Sequence, residues 1–176
     1  MLDPVLLWCD YFSMVPILVY FMGIYVGVYT NSMPEAFSFV IFTFLNDQIT
    51  KMIKAIPYPK CMWEITRRPE GAFNTDYFSR NGPAKKDAPG FPSGHMAGIT
   101  TFCLYMLLRK KGDMEWSEFI EENLCLVVIS VFAVGMMGFA RWYKNCHNVF
   151  QICGGIIYGG ITTYLYYNII GKNLIN

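Results

Sequence analysis

The chain has two histidines, His95 and His147, and each stands among residues suited to chemistry on a phosphate. His95 closes the stretch Pro92-Ser93-Gly94-His95, and His147 closes Arg141-Trp-Tyr-Lys-Asn-Cys-His147. Upstream lie Lys60 and the pair Arg67-Arg68, which Pro69 follows. Guanidinium groups offer forked donors that match phosphate oxygens, and a lysine adds a compact point charge. Near neutral pH an imidazole can attack phosphorus or pass a proton. Two histidines, two arginine stations and a lysine therefore suit a tetrahedral oxyanion such as phosphate.

The composition indicates the solvent in which these residues are held. Of 176 residues, 54% are hydrophobic, 17% aromatic and only 15% charged, too apolar for an ordinary soluble domain of this size. The length predicts one domain, 1–176. A net charge of +1 and the lack of a basic arm give no sign of a nucleic-acid partner. Six cysteines stand singly, with no Cys-x-x-Cys pair to suggest zinc or a thioredoxin-like motif. Cys103, Cys125 and Cys153 fall inside apolar runs, where small buried thiols are expected.

Five apolar runs organise the chain, at about Val5–Val28, Ala36–Ile56, Met96–Leu108, Leu124–Phe139 and Val149–Ile170. A membrane-spanning helix needs roughly 20 such residues. The expected fold is all-α, an integral membrane bundle of about five transmembrane helices. The first run is preceded by no basic segment and followed by no small-residue cleavage site, so it reads as a span rather than a signal peptide. Its one charge, Asp10, is expected at headgroup level. Pro57 and Pro59 stop the second helix. Gly154-Gly155 and Gly159-Gly160 give the last run small faces for close packing in lipid. The acidic stretch Gly112–Asn123 reads as a solvated loop or surface helix.

Counting spans puts the polar loop Tyr58–Phe91, the start of the third helix and the turn between the last two on one membrane face. All three groups of candidate residues fall there. The third helix would begin near Ser93, which turns the N–H groups of Ser93, Gly94 and His95 towards an anion. Arg80, Lys85 and Lys86 in the loop are expected to be solvated or to meet lipid headgroups.

At these residues the chain resembles the type 2 phosphatidic acid phosphatases, whose site is shared with vanadium haloperoxidases. The family pattern runs Lys-x6-Arg-Pro, then Pro-Ser-Gly-His, then Ser-Arg-x5-His-x3-Asp. The second block is intact here, and the third keeps Arg141-x5-His147 with Ala140 in place of Ser and Gln151 in place of Asp. In the first, Lys60 precedes Arg67 by seven residues and Arg68 by eight. Lys51 and Lys54, at the end of the second run, are the alternatives to Lys60. The resemblance covers roughly residues 50 to 160.

The resemblance implies a membrane phosphatase acting on a lipid phosphate or diphosphate, with no metal or other cofactor. His147 would be the nucleophile that becomes phosphohistidine. His95 would protonate the leaving oxygen and then activate water. Lys60, Arg68 and Arg141 would hold the phosphoryl oxygens, with the Ser93 hydroxyl and the Gly94 N–H. Gln151 would take the place of the Asp that orients the nucleophile, accepting through its carbonyl, so Gln151→Glu is expected to be tolerated. The dolichyl-diphosphate phosphatase branch resembles this chain in having Gln there, a hint of polyprenyl diphosphate substrates. Two other readings stand beside this one: a soluble vanadate-binding haloperoxidase, and a non-catalytic membrane protein that keeps the pocket for headgroup binding or scaffolding.

Overall fold

The computed structural model describes residues 4–13, 23, 32–76, 79–83 and 88–175. Most of the run Val5–Val28, the loop lysines Lys85 and Lys86 and the side chain of Arg80 lie outside the described residues. The described chain is helical except for one two-stranded antiparallel hairpin. In order come α1 (Pro4–Ser13), α2 (Met33–Ala55), α3 (Trp63–Thr66), the hairpin β1 (Phe73–Asp76) and β2 (Ser79–Pro83), α4 (Gly94–Lys111), α5 (Trp116–Glu122), α6 (Leu124–Tyr143) and α7 (Val149–Tyr166). A π-helical turn, Tyr167–Gly171, and a last short helix α8 (Lys172–Ile175) follow.

Local chemistry sets ends of three of the four long helices. Ser32 caps α2 by accepting from Glu35 N at 3.4 Å, and α2 stops at Ala55, with Ile56 extended ahead of Pro57. Ser93 caps α4, whose last turn carries Arg109, Lys110 and Lys111 against the negative end of the helix dipole. Gly112 follows at φ 55°, a conformation that favours glycine. Asn148 caps α7 by accepting from Gln151 N at 2.9 Å.

α4 is the central helix, packed by α2, α6 and α7. Its closest partner is α7, through two glycines one turn apart. A Cβ on Gly155 would lie 2.5 Å from the Ser93 carbonyl oxygen, and one on Gly159 would lie 2.6 Å from that of Ala97. Only a missing side chain allows that approach. On its other side, Met96, Ile99 and Cys103 pack with Met137 of α6. At the far end Phe39 of α2 stacks on Tyr105 at 4.3 Å, beside Tyr166 and Tyr167. There the buried Glu35 accepts from Tyr105 Oη at 2.8 Å and Arg109 Nε at 2.5 Å, pinning the start of α2 to the end of α4.

Three of the helices that surround α4 turn polar side chains inward and large apolar ones outward, the reverse of a water-soluble bundle. α2 turns Glu35, Thr43, Asn46 and Thr50 inward and presents Phe37, Ile41, Phe44 and Met52 outward. α6 buries Ser130, Gly138 and Arg141 while Val128, Val131, Phe132 and Trp142 are exposed. α7 buries Gln151, Gly155, Gly159 and Thr163 and exposes Phe150, Ile157, Ile161 and Leu165. Cys125 and Cys153, expected to be buried, lie on such outward faces; Cys103 is buried. By length and composition one described helix, Leu124–Tyr143, is long and apolar enough to cross a membrane.

Candidate active site

Because α2, α4, α6 and α7 alternate in direction, the end of α2, the start of α4, the end of α6 and the start of α7 meet at one end of the bundle. The short stretches 66–68 and 88–91 close over the same end. They are tied together: Arg68 N donates to Ala88 O at 3.0 Å, and Gly90 N donates to Thr66 O at 2.7 Å. The sharp turn after α6 carries Asn145 at φ 52°, and the N–H groups of Cys146 and His147 both fold back to Arg141 O, at 3.0 and 3.3 Å. That turn brings His147 back under the bundle end beside Arg141. Both are almost wholly buried, Arg141 at 1% and His147 at 2% exposure. His95, in the first turn of α4, is half-buried.

The positive groups here feel one another. Arg141, His147, Lys54 and Lys144 all bear electrostatically on His95. Arg141, Arg68 and Lys54 bear on His147. Burial first, and then the Arg141 charge, hold the His147 imidazole well below the usual histidine range, with the Gln151 hydrogen bond acting against them. In the free protein its ring is therefore neutral at pH 7. Converging cations around two imidazoles leave a field that an anion relieves.

The first lysine differs from the expectation. Lys60 is exposed on a short 3₁₀ turn, with its ammonium 5.8 Å from the Trp63 ring centroid. Arg67 also stacks on Trp63. Lys51 pairs at the surface with Asp47 at 2.6 Å. Lys54 is the lysine that reaches the cluster: its Nζ lies 3.7 Å from where a Cβ on Gly94 would be. α2 runs unbroken through residue 55, so Lys54 sits on the same inward face as Thr50 and points to the start of α4. Of the arginine pair, Arg68 acts on both Lys54 and His147.

Gln151 is fully buried and meets all three blocks. Its Nε2 donates to Ile65 O at 3.1 Å and Arg67 O at 2.5 Å. Its Oε1 lies 2.9 Å from His147 Nδ1, and its backbone carbonyl accepts from Ser93 N at 3.0 Å. Two carbonyl acceptors on one side leave only one sensible orientation of the amide, with oxygen towards His147. His147 Nδ1 must then be the donor. In the neutral ring this leaves Nε2 with its lone pair, the arrangement a nucleophile requires. Gly90 makes room for the amide, since a Cβ there would lie 2.5 Å from Oε1.

Two further placements were not expected. The Ser93 N–H is spent on the Gln151 carbonyl, so an anion at the start of α4 meets the N–H groups that follow it; the Ser93 hydroxyl is buried as the cap. Asp10, expected at headgroup level, accepts from Lys144 Nζ at 2.5 Å and ties α1 to the turn that carries His147, a partner the sequence did not indicate. Asn148 also anchors that turn, donating to Glu64 O at 2.7 Å.

Compared with known proteins, residues 33–175 match a family model described as the PAP2 superfamily. No curated protein and no solved structure matches the chain.

Proposed function

Because the chain belongs to the PAP2 superfamily, whose members are phosphatases acting on phosphate esters, we propose that it is an integral, multi-pass membrane phosphatase that hydrolyses a lipid phosphate or diphosphate through a phosphohistidine. The observation that carries this reading is the convergence of Lys54, Arg68 and Arg141 on His95 and His147 at one end of the bundle. The membrane part of the reading draws on the reversed faces of α2, α6 and α7. Large apolar side chains turned outward and polar ones inward are stable in hydrocarbon, where lipid covers the first and the bundle satisfies the second.

In this mechanism the three cations hold the non-bridging phosphoryl oxygens and offset charge as the transition state forms. His147 Nε2 forms a bond to phosphorus as the bridging P–O bond breaks. The leaving oxygen, of the lipid alcohol or of its monophosphate, takes its proton from His95. His95, now neutral, then removes a proton from water as the water oxygen attacks the phosphohistidine. Inorganic phosphate and neutral His147 are released, and His95 is protonated again. A bound phosphate places negative charge beside His95, which favours the protonated acid over the neutral ring.

The test is phosphate release from a panel of lipid phosphates by the purified protein in detergent or vesicles. The panel includes a diacylglycerol phosphate and a polyprenyl diphosphate. Release by wild type that His147→Ala abolishes supports the reading. Binding of the lipids without release at any pH from 5 to 8 would favour a non-catalytic headgroup-binding protein.

A further inference from the structure

We propose that Gln151 is a positioning residue that must be a carboxamide: by donating to the carbonyls of Ile65 and Arg67 it locks the segment that carries Arg68 to the nucleophile His147, and a carboxylate cannot replace it. The proposal rests on the phosphatase reading for its substrate and goes beyond it in its logic. The orientation of an imidazole needs only an acceptor, which Asp, Glu or Gln could each provide. Here the other end of the same side chain is used as well. Nε2 meets two backbone carbonyls, Ile65 O at 3.1 Å and Arg67 O at 2.5 Å, while Oε1 faces His147 Nδ1 at 2.9 Å.

Arg67 O belongs to the residue next to Arg68, whose charge acts on both His147 and Lys54. The amide therefore spans the gap between the phosphate-holding segment and the attacking ring. Its own backbone is fixed twice more, by Asn148 Oδ1 at 2.9 Å and Ser93 N at 3.0 Å. A carboxylate at this position keeps the contact to His147 but turns an oxygen without a hydrogen towards two carbonyl oxygens. Acceptor against acceptor in a buried place is repulsive and leaves both carbonyls without a donor. The expectation from sequence that Gln151→Glu is tolerated is thereby reversed. The segment carrying Arg68 has to move away, and affinity for the phosphoryl group falls with it.

The test compares wild type, Gln151→Glu, Gln151→Ala and Gly90→Ala. A folded elution profile and thermal melt are recorded first, then the orthovanadate dissociation constant, kcat and KM. Gly90→Ala reaches the same amide without changing its chemistry, because its Cβ would fall 2.5 Å from Gln151 Oε1. The expected result is a weakening of vanadate binding by about tenfold or more in Gln151→Glu and Gly90→Ala. For Gln151→Glu, KM rises by a similar factor and the loss in kcat/KM is at least that of Gln151→Ala. A folded Gln151→Glu or Gly90→Ala protein that binds vanadate within about twofold of wild type overturns the proposal. Failure of the phosphatase reading shows separately: wild type then binds vanadate and turns over no lipid phosphate, while the ratios of dissociation constants still judge the amide.

Discussion

Gly155 lies so close to Ser93 that a Cβ on it would sit 2.5 Å from the Ser93 carbonyl oxygen. Ser93 is two residues before His95, and Gly155 lies on the helix whose start holds Gln151 against His147. The spacing between the proposed acid and the proposed nucleophile is therefore set by how closely α7 approaches α4.

Gly155→Ala should force α7 outward, because the atoms in the way include backbone that cannot rotate aside. Overpacking of this kind costs about 1–3 kcal/mol, and a displacement near 1 Å at reacting groups costs roughly 100-fold in rate. The expected outcome is a lower melting temperature in detergent together with a fall in kcat of about tenfold or more. Gly160→Ala is the control, since a Cβ there meets nothing within 4 Å. Equal melting temperatures and rates for the two variants would show that the glycine contact does not set the geometry.

Lys54→Ala should cut kcat/KM by about 100-fold, the scale seen when one group stabilising transition-state charge is removed. Lys60→Ala and Lys51→Ala should stay near wild type, because one lies exposed beside Trp63 and the other pairs with Asp47 at the surface. Steady-state kinetics on a single lipid phosphate separates the three. A severe Lys60→Ala and a silent Lys54→Ala would reverse the assignment.

His147 should titrate below about pH 6.5, the ordinary histidine value, because burial and Arg141 oppose its protonation in the folded protein. With the folded value depressed, its contribution to stability is whole above about pH 6.5 and is lost as pH falls through that point towards the lower folded value, where only the unfolded chain gains the proton. With two histidines in the chain, nitrogen-detected NMR of labelled imidazoles can follow both rings. The expected spectrum shows one ring carrying its proton on Nδ1 and neutral at pH 6.5. A midpoint for His147 at or above 6.5 would contradict this.

The helices that position the site were legible because their punctuation is chemical. Pro57 ends the second apolar run, the Arg109–Lys111 cluster marks the end of the third and Arg141 lies near the end of the fourth; the observed helices Met33–Ala55, Gly94–Lys111 and Leu124–Tyr143 stop at those marks or within two residues of them. The packing of Gly155 and Gly159 was legible as a pair of small faces, though not which helix they would meet. Lys54 was harder to choose, because counting residues back from Arg68 assumes no irregular segment between them. In fact Pro57–Pro59 and a 3₁₀ turn swing Lys60 out to Trp63. The hairpin Phe73–Pro83 and the Asp10–Lys144 pair have no local signature at all. The same holds for the amide of Gln151, since its acceptors are backbone carbonyls, which every residue carries.

In the proposed mechanism His147 itself carries the phosphoryl group during turnover. The most direct measurement is rapid alkaline quenching of the protein reacting with a lipid phosphate labelled at phosphorus, followed by mapping of the label. The expected label is base-stable and acid-labile on His147, absent from His147→Ala, and accumulating in a His95→Ala protein that forms the intermediate with an activated leaving group but hydrolyses it slowly. Turnover retained in His147→Ala, or label found on any other residue, would contradict that mechanism.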